Sequence, residues 1–200
     1  MNIEEEVISR ILPKDDENKR IFEIVDEVKV KILSAAESLT IEVDPILVGS
    51  VAKGTHLTNP DIDIFIMFPS TTSRKELESH GLSIGMDVLD EYEKRYAEHP
   101  YTRGKVDGMN VEIVPCYKIE DPSQKMSAVD RTPFHTNYII EHQKDVQKNQ
   151  VRLLKQFLKG IGIYGAEAEI EGFSGYLCEL LVLHYGDLKS LIANARNWNK

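Results

Sequence analysis

Two segments near the start of the chain carry hydrophobic residues at intervals of three and four, the period of an α-helix. The first covers residues 3–12 and stops before Pro13, and the second covers residues 15–39. The apolar positions of the second segment are Ile21, Ile24, Val25, Val28 and Ile32. We therefore predict a short helix ended by the proline and then a long amphipathic helix.

Segments with the pattern of β-strands follow at residues 43–48, 62–68, 95–99, 101–106 and 109–116. Pro45 has no backbone N–H, so we expect the first strand to lie at a sheet edge or to start irregularly. After the second strand, Ser73 and Glu76 have the spacing of a capping box, which predicts a helix that runs to about Tyr92. Asp107-Gly108 predicts a tight hairpin between the last two strands.

The rest of the chain has a helical pattern. Helices are predicted at residues 134–142, 146–161, 174–185 and 187–198. Pro122 and its polar neighbours interrupt the pattern at residues 118–124, where we place a domain boundary. The sequence thus predicts an α+β protein, with a sheet domain in residues 1–120 and a helical domain in residues 121–200.

Composition limits the class of protein. Of the 200 residues, 42% are hydrophobic, which is enough for a core in one large or two small domains. The start of the chain is acidic, no run of eighteen apolar residues occurs, and both cysteines have apolar neighbours. We expect reduced thiols, no membrane span, no secretory signal or transit peptide, and a cytoplasmic location. Because the formal net charge is −9, we expect any nucleic-acid partner to be held by a local basic patch or by parts absent here.

Three acidic residues carry the main candidate chemistry. Asp61 and Asp63 lie at the start of an apolar strand and share one face, with Cα atoms roughly 6.6 Å apart. Adjacent carboxylates repel each other unless a positive charge lies between them. Glu112, inside the otherwise apolar strand 109–116, supplies a third carboxylate. The three predict a site for two Mg²⁺ ions, or Mn²⁺ in their place, that serves phosphoryl transfer; a solvated acidic pair is the alternative.

Gly49-Ser50 joins the strand 43–48 to a short helical turn predicted at residues 51–54. Glycine permits close backbone approach, and the Ser50 hydroxyl and free N–H groups can receive phosphate oxygens. Lys53 adds a positive charge one turn later. The alternative is an ordinary strand–helix turn with a serine cap.

Two groups farther along the chain suit a nucleotide. Arg131, Thr132 and His135 lie at the start of a predicted helix, where they either contact a base and a triphosphate or form a capped helix start. A basic stripe along the helix 146–161 ends beside Tyr164, an aromatic that can stack on a base or ribose. The stripe consists of Lys148, Arg152, Lys155 and Lys159, opposite an apolar face of Val151, Leu154, Leu158 and Ile161. It is either a solvated helix face or a ridge that faces phosphates.

Other nucleotide and metal chemistries find no support in the sequence. The six histidines have no zinc-site spacing. The chain contains no Walker A sequence and no Gly-x-Gly-x-x-Gly fingerprint, which argues against P-loop and Rossmann chemistry.

Gly49-Ser50 followed by Asp61-Ile62-Asp63-Ile64 resembles the signature of the polymerase-β-like nucleotidyltransferase superfamily. Longer strings spread over nearly the whole chain resemble the archaeal, class I CCA-adding tRNA nucleotidyltransferases. These strings are RYAEHPY from Arg95, VEIVPCY from Val111, SAVDRTPFH from Ser127, VRLLK from Val151, GIYGAE from Gly162 and GFSGYLCELL from Gly172.

The resemblance implies a nucleotidyltransferase head domain with a mixed β-sheet and flanking helices, followed by a helical neck that selects the base. It implies template-independent addition of C, C and A to the 3′ end of tRNA from CTP and ATP, with two metal ions and release of pyrophosphate. By motif, Asp61, Asp63 and Glu112 are the implied catalytic metal ligands. The implied nucleotide contacts are Gly49, Ser50, Lys53, Arg131, Thr132, His135, Lys155 and Tyr164, with His99 nearby.

The chain departs from the family pattern at three points. Glu112 stands where aspartate is usual, and Lys53 stands where arginine is frequent, which keeps the charge but loses the two-pronged phosphate contact. Relatives also continue into body and tail domains that grip tRNA, so we expect an N-terminal fragment, with any homodimer contact in regions absent here. Two alternatives remain: a poly(A)-polymerase-like or oligoadenylate-synthase-like acceptor, and a nucleotide-binding module without turnover.

Overall fold

The computed structural model describes residues 2–96 and 100–198. Its helices are α1 (Ile3–Ile11), α2 (Asp15–Ser38), α3 (Gly49–Lys53), α4 (Arg74–Val88), α5 (Thr132–His142), α6 (Asp145–Gly160), α7 (Gly175–Tyr185) and α8 (Leu188–Ala195). Its strands are β1 (Asp44–Val48), β2 (Ile62–Pro69), β3 (Glu91–Tyr96), β4 (Pro100–Val106) and β5 (Met109–Lys118). Short 3-10 turns at Pro122–Gln124 and Ala128–Arg131 connect β5 to α5.

The five strands form one mixed sheet in the order β1-β2-β5-β4-β3. β2 and β5 are parallel, and the other neighbours are antiparallel. The first strand, with Pro45, lies at the edge of the sheet as predicted, because an edge strand leaves one row of N–H groups unpaired. The Asp107-Gly108 hairpin is also confirmed, with Val106 paired to Met109.

Each face of the sheet contributes to a separate apolar cluster. Ile62, Ile64, Val111 and Ile113 belong to a large core that includes buried side chains of α2 and α4. The alternate residues of the same strands face the other side of the sheet, where Phe65, Val114 and Cys116 belong to a smaller cluster. This alternation is the one expected from the strand pattern of the sequence.

The predicted boundaries around β3 are wrong. α4 ends at Val88 instead of near Tyr92, and β3 starts at Glu91 instead of Arg95. Every side chain of β3 is exposed, so its polar sequence contains no buried alternation that reveals a strand. The segment is a strand because β4 supplies its hydrogen-bond partners. Residues 97–99, the end of the strand predicted there, lie outside the described residues.

The chain divides into two units by its internal contacts. One comprises Lys14–Ala52 and Asn59–Thr136 and contains the sheet, α2 and α4. The other comprises Met1–Pro13, Lys53–Thr58 and Asn137–Lys200, and its core joins α6, α7 and α8. The domain boundary predicted at residues 118–124 stays a prediction.

The helix α6 has the predicted buried apolar face at Val151, Leu154 and Leu158. The fourth predicted member, Ile161, is wrong: it lies just after the end of α6 and is 54% exposed. The interpretation of its basic stripe as a solvated face is wrong at two positions, because Arg152 and Lys155 are only 8% and 2% exposed. Both side chains bind the segment Lys53–Thr58 of the same unit. Within the described residues, none of the helices has the length and apolarity needed to cross a bilayer.

Candidate active site

A row of charged side chains crosses the sheet at the start of β2. Asp63 on β2 pairs with Glu112 on β5, Glu112 pairs with Arg103 on β4, and Arg103 pairs with Glu93 on β3. Directly opposed side chains on neighbouring strands have Cβ atoms about 5 Å apart. The register therefore places two of the predicted metal ligands, Asp63 and Glu112, side by side on one face of the sheet.

Arg103 is paired with two of the three predicted metal ligands. Its Nη2 donates to both oxygens of Asp61, at 3.2 and 3.3 Å, and its Nη1 lies 3.6 Å from Oε1 of Glu112. Asn110 Nδ2 also donates to Asp61 Oδ1, at 3.0 Å. The positive charge that two adjacent carboxylates require is thus supplied here by a guanidinium.

Glu112 is the least exposed of the paired groups, with 21% of its side chain accessible. Burial raises the pKa of its carboxyl above the ordinary value, the Arg103 guanidinium opposes this rise, and the negative charge of Asp61 adds to it. One arginine therefore compensates the charge of the two carboxylates only in part.

Gly49 lies against the carboxylate of Asp63. Its φ of +69° lies in the left-handed region, and a Cβ built at this position would overlap Oδ2 of Asp63. Only glycine combines that backbone conformation with the close approach. The predicted role of Gly49 in allowing close backbone approach therefore has a physical basis, and the group it approaches is a predicted metal ligand. The sequence predicts Ser50 as a cap in front of the helical turn. This prediction is wrong, because α3 begins at Gly49 and Ser50 lies inside it.

The three carboxylates Asp61, Asp63 and Glu112 are the candidate ligands of a divalent cation. Within residues 2–96 and 100–198, no three His, Cys, Asp or Glu side chains are arranged as a metal site. The donor set nevertheless fits Mg²⁺ or Mn²⁺, which prefer carboxylate oxygens. The Arg103 guanidinium already occupies a cation position between Asp61 and Glu112. In this structure Asp61 and Glu112 are thus paired with a guanidinium, and the role of the three carboxylates as metal ligands stays a prediction.

Arg131, Thr132 and His135 lie where β5 connects to α5, and all three are half-buried. The segment before them is fixed by Asp130, whose fully buried carboxylate accepts three backbone N–H bonds, from Tyr117, Met126 and Ser127, at 2.9, 2.9 and 2.6 Å. The Nε of Arg131 is buried without a hydrogen-bond partner among the described residues. This arrangement ties the predicted nucleotide contacts to the central strand β5.

Lys53 and Lys155, two further predicted nucleotide contacts, meet at one buried carboxylate in the helical unit. Glu179 of α7 is 0% exposed and accepts from Lys53 Nζ at 2.5 Å and from the Thr55 hydroxyl at 2.6 Å. Lys155 Nζ lies 3.5 Å from the same carboxylate. Burial lowers the pKa of Lys155, the charge of Glu179 opposes this, and the charge of Lys53 adds to it.

Tyr164 lies in the same unit, with Lys159 Nζ 5.3 Å from the centre of its ring. Gly175, the first residue of α7, lies close to the Tyr164 side chain, because a Cβ built at Gly175 would be 3.1 Å from the Tyr164 hydroxyl. The same Cβ would be 3.7 Å from Nζ of Lys155. The structure thus brings Lys53, Lys155 and Tyr164 into one neighbourhood.

The predicted site residues fall into two groups. The sheet unit contains Gly49, Ser50, Asp61, Asp63, Glu112, Arg131, Thr132 and His135, and the helical unit contains Lys53, Lys155 and Tyr164. His99 lies outside the described residues. The roles of all these residues in catalysis and nucleotide binding remain predictions.

Two residues with central contacts were missed by the sequence reasoning. Arg103 could have been found by counting back from the hairpin, because pairing Val106 with Met109 sets Arg103 opposite Glu112. Glu179 could have been found from its surroundings, because a glutamate inside the apolar run from Leu177 to Leu183 needs a buried cationic partner.

Known proteins match both parts of the chain. The family model described as a nucleotidyltransferase domain matches residues 16–135. The model described as the second domain of tRNA nucleotidyltransferase matches residues 149–200.

Curated relatives match nearly all of the chain. It is 47% identical to the CCA-adding enzyme of Methanothermobacter thermautotrophicus, over 96% of this chain and 43% of that protein. It is 45% identical to that of Archaeoglobus fulgidus, over 98% of this chain and 44% of that protein. A CCA-adding enzyme of Thermoplasma acidophilum is 44% identical, over 94% of this chain and 85% of that sequence. The chain thus spans less than half the length of the first two relatives.

Solved structures share the fold at lower identity. A structure of the Cid1 poly(U) polymerase superposes with a TM-score of 0.68 and 17% identity, over 91% of this chain and 53% of that one. A cytoplasmic RNA terminal U-transferase gives a TM-score of 0.64 and 19% identity, over 91% and 50%. At these identities the likeness shows the fold alone.

Proposed function

Because the chain belongs to the family of CCA-adding nucleotidyltransferases, we propose that it forms the catalytic head and neck of an enzyme that completes the 3′ end of tRNA. The proposed substrates are CTP, ATP and a tRNA that lacks its terminal CCA. The reaction joins the 3′ oxygen of the tRNA to the α-phosphorus of the nucleotide and releases pyrophosphate.

One observation carries the catalytic part of this proposal. Asp63 and Glu112 are paired side by side on parallel strands, and Arg103 holds Asp61 to Glu112 from the neighbouring strand. The single guanidinium of Arg103 compensates these carboxylates only in part, because the charge of Asp61 still contributes to the raised pKa of Glu112, and a further cation would stabilise their charged forms.

Asp61, Asp63 and Glu112 would hold Mg²⁺, which when bound lowers the pKa of the attacking hydroxyl and neutralises charge on the phosphates. A metal beside Asp61 and Glu112 would compete with the Arg103 guanidinium for their oxygen atoms. The extra methylene of Glu112 extends its reach compared with the usual aspartate. Ser50 and Lys53 are the proposed triphosphate contacts, by hydroxyl and ammonium donation.

The remaining proposed contacts select and orient the nucleotide. Arg131, Thr132 and His135 offer hydrogen-bond groups next to the turn that Asp130 holds, and the buried Nε of Arg131 has no partner in the part of the chain that the structure describes. Tyr164 offers a ring for stacking on a base or ribose. The proposed location, the cytoplasm, follows from the substrate.

The test is nucleotide addition to a tRNA that ends at its discriminator base. The full-length protein and this chain are each incubated with Mg²⁺ and labelled CTP or ATP. We expect the full-length protein to add two C and one A and then to stop. Asp63→Asn should abolish addition, whereas Asp87→Asn, which changes an exposed carboxylate of α4, should leave it intact.

Other outcomes would lead to other conclusions. Long A tails, or addition to acceptors other than tRNA, would replace the proposal with a poly(A)-polymerase-like or oligoadenylate-synthase-like activity. Binding of CTP and ATP by this chain without addition would make it a nucleotide-binding piece of the enzyme. If the full-length protein bound neither nucleotide with Mg²⁺ or Mn²⁺, the proposal would be refuted.

A further inference from the structure

The helical unit contains a buried cluster of three charged side chains, Lys53, Lys155 and Glu179, together with the hydroxyl of Thr55. The side chains of the two lysines are 7% and 3% exposed, and that of the glutamate is 0% exposed. Two ammonium groups therefore share one carboxylate. With two ammonium groups and one carboxylate, the cluster has one positive charge without a matching negative charge. Such an excess is unfavourable, because buried ions are stable only when they are paired and hydrogen-bonded.

The two lysines differ in how many of their N–H donors are used. Lys155 Nζ is 3.2 Å from both the carbonyl and the hydroxyl oxygen of Thr55 and 3.5 Å from Glu179, so all three of its donors have partners. Lys53 Nζ has a single hydrogen bond within the described residues, to Glu179 at 2.5 Å. It lies 5.8 Å from the centre of the Tyr176 ring. Lys53 thus keeps two N–H donors for a further acceptor.

Glu179 determines where that ammonium group lies. Its Oε2 accepts from Lys53, while its Oε1 accepts from the Thr55 hydroxyl two residues later. One carboxylate on a helix therefore fixes both the side chain of Lys53 and the backbone segment that carries it. An acceptor with negative charge, such as a phosphate oxygen, would complete both the hydrogen bonding and the charge balance.

We propose that Glu179 is a positioning residue for the nucleotide triphosphate, which it serves by holding Lys53 with two N–H donors available for phosphate oxygens. The assignment rests on the proposed function, since it takes the substrate to be a nucleoside triphosphate. The two lysines differ in this structure, because Lys53 has donors left for phosphate oxygens, whereas Lys155 donates to Thr55 and lies 3.5 Å from Glu179.

A purely structural role for Glu179 is the competing explanation. The segment Lys53–Thr58 has a second anchor, however, because Arg152 donates to the carbonyl oxygens of Gly54 and His56 at 2.7 and 2.8 Å. Attachment of the segment therefore does not depend on the glutamate alone. A variant of Arg152 loosens the segment without removing the negative charge beside Lys53, which makes it a matched structural control.

The experiment measures binding of CTP, ATP and inorganic tripolyphosphate to the full-length protein without tRNA, together with KM and kcat for each nucleotide. For Glu179→Gln we expect affinity for all three ligands to fall by about tenfold, to the same extent for CTP and ATP, because the triphosphate is common to both. KM should rise by the same factor. Glu179→Asp should restore part of the affinity, and Glu141→Gln, an exposed charge change on α5, should have no effect.

A double-mutant cycle separates positioning from stability. Lys53→Met should weaken tripolyphosphate binding, and adding Glu179→Gln to it should cause little further loss, because both changes remove one interaction. Arg152→Gln should lower the melting temperature and leave tripolyphosphate affinity unchanged. Affinity within twofold of wild type in Glu179→Gln would overturn the proposal.

Two further outcomes, a variant that does not fold and a protein that binds nucleotides without transferring them, also lead to a decision. If Glu179→Gln does not fold, unchanged tripolyphosphate affinity in Lys53→Met overturns the proposal by itself. If the wild-type protein binds CTP and ATP but adds neither to tRNA, the proposed function fails, while the binding data still decide the role of Glu179.

Discussion

Substitution of Asp130 tests how the turn before Arg131 is held. Asp130 is 0% exposed, and its Oδ2 accepts from the backbone N–H groups of Met126 and Ser127, while its Oδ1 accepts from that of Tyr117. Asp130→Asn keeps the shape of the side chain but replaces one acceptor oxygen by an NH₂ group. At least one of the three N–H groups then faces a donor in place of an acceptor.

The expected loss of stability follows from these contacts. A hydrogen bond to a charged group contributes about 1.5–3 kcal/mol, and an ionised acceptor is roughly twice as strong as a neutral one. Asp130→Asn loses one such bond and weakens the other two, so we expect the free energy of unfolding to fall by about 3 kcal/mol. Asp130→Ala, which loses all three, should cost about 5 kcal/mol.

Urea unfolding followed by circular dichroism measures this change, and hydrogen exchange of the Tyr117 amide reports it locally. Asp187→Asn is the control, because Asp187 caps α8 through the Ser190 N–H, and asparagine is as good a cap as aspartate. We expect the control to change stability by less than about 0.5 kcal/mol. A change of that small size in Asp130→Asn, with unaltered exchange at Tyr117, would refute the reasoning.

Three further predictions concern the metal ligands, a thiol and two glycines. Arg103→Met should tighten Mn²⁺ binding by about fivefold, measured by calorimetry, because metal no longer displaces a partly exposed ion pair of about 1 kcal/mol; weaker or equal binding would contradict this. Burial raises the pKa of the Cys178 thiol from 9.0 to about 11. Cys178 should therefore be alkylated about 100-fold more slowly than an ordinary thiol at pH 8, and the rate should increase as the pH rises towards 11. Rapid labelling of the folded protein at pH 8 would show the inference to be wrong. Gly85→Ala should destabilise the protein by about 1–3 kcal/mol in thermal unfolding, because the added Cβ would overlap Thr102. Gly160→Ala should stabilise the protein by about 0.5–1 kcal/mol, because the space around Gly160 is open. Equal effects of the two substitutions would count against the packing of α4 on β4.

The sequence could predict much of the sheet because local rules govern it. The turn Asp107-Gly108 fixes the pairing of β4 with β5, and the alternation along β5 separates Glu112 from the core-facing Ile113. Pro45 likewise indicates an edge strand from its missing donor alone. Each of these inferences needs only a residue and its immediate neighbours.

The elements that the sequence misplaced depend on distant partners. β3 has six exposed side chains and is a strand only because β4 lies beside it. Arg152 and Lys155 repeat at the spacing of a solvated helix face, yet both are buried, because carbonyl groups of the segment Lys53–Thr58 and the carboxylate of Glu179 receive their hydrogen bonds. Helical spacing reports which residues share a face but not what lies against that face.

The same division holds for the candidate chemistry. By itself the sequence determined which residue types are present, namely the carboxylates Asp61, Asp63 and Glu112 and the lysines Lys53 and Lys155, since acid–base character belongs to the side chain. Only the tertiary structure decided which charges they meet: Arg103 lies beside Asp61 and Glu112, and Glu179 lies beside both lysines. The physical reason is that electrostatic energy depends on distance and burial, and residues 126 positions apart in the chain, such as Lys53 and Glu179, come within 2.5 Å only through folding.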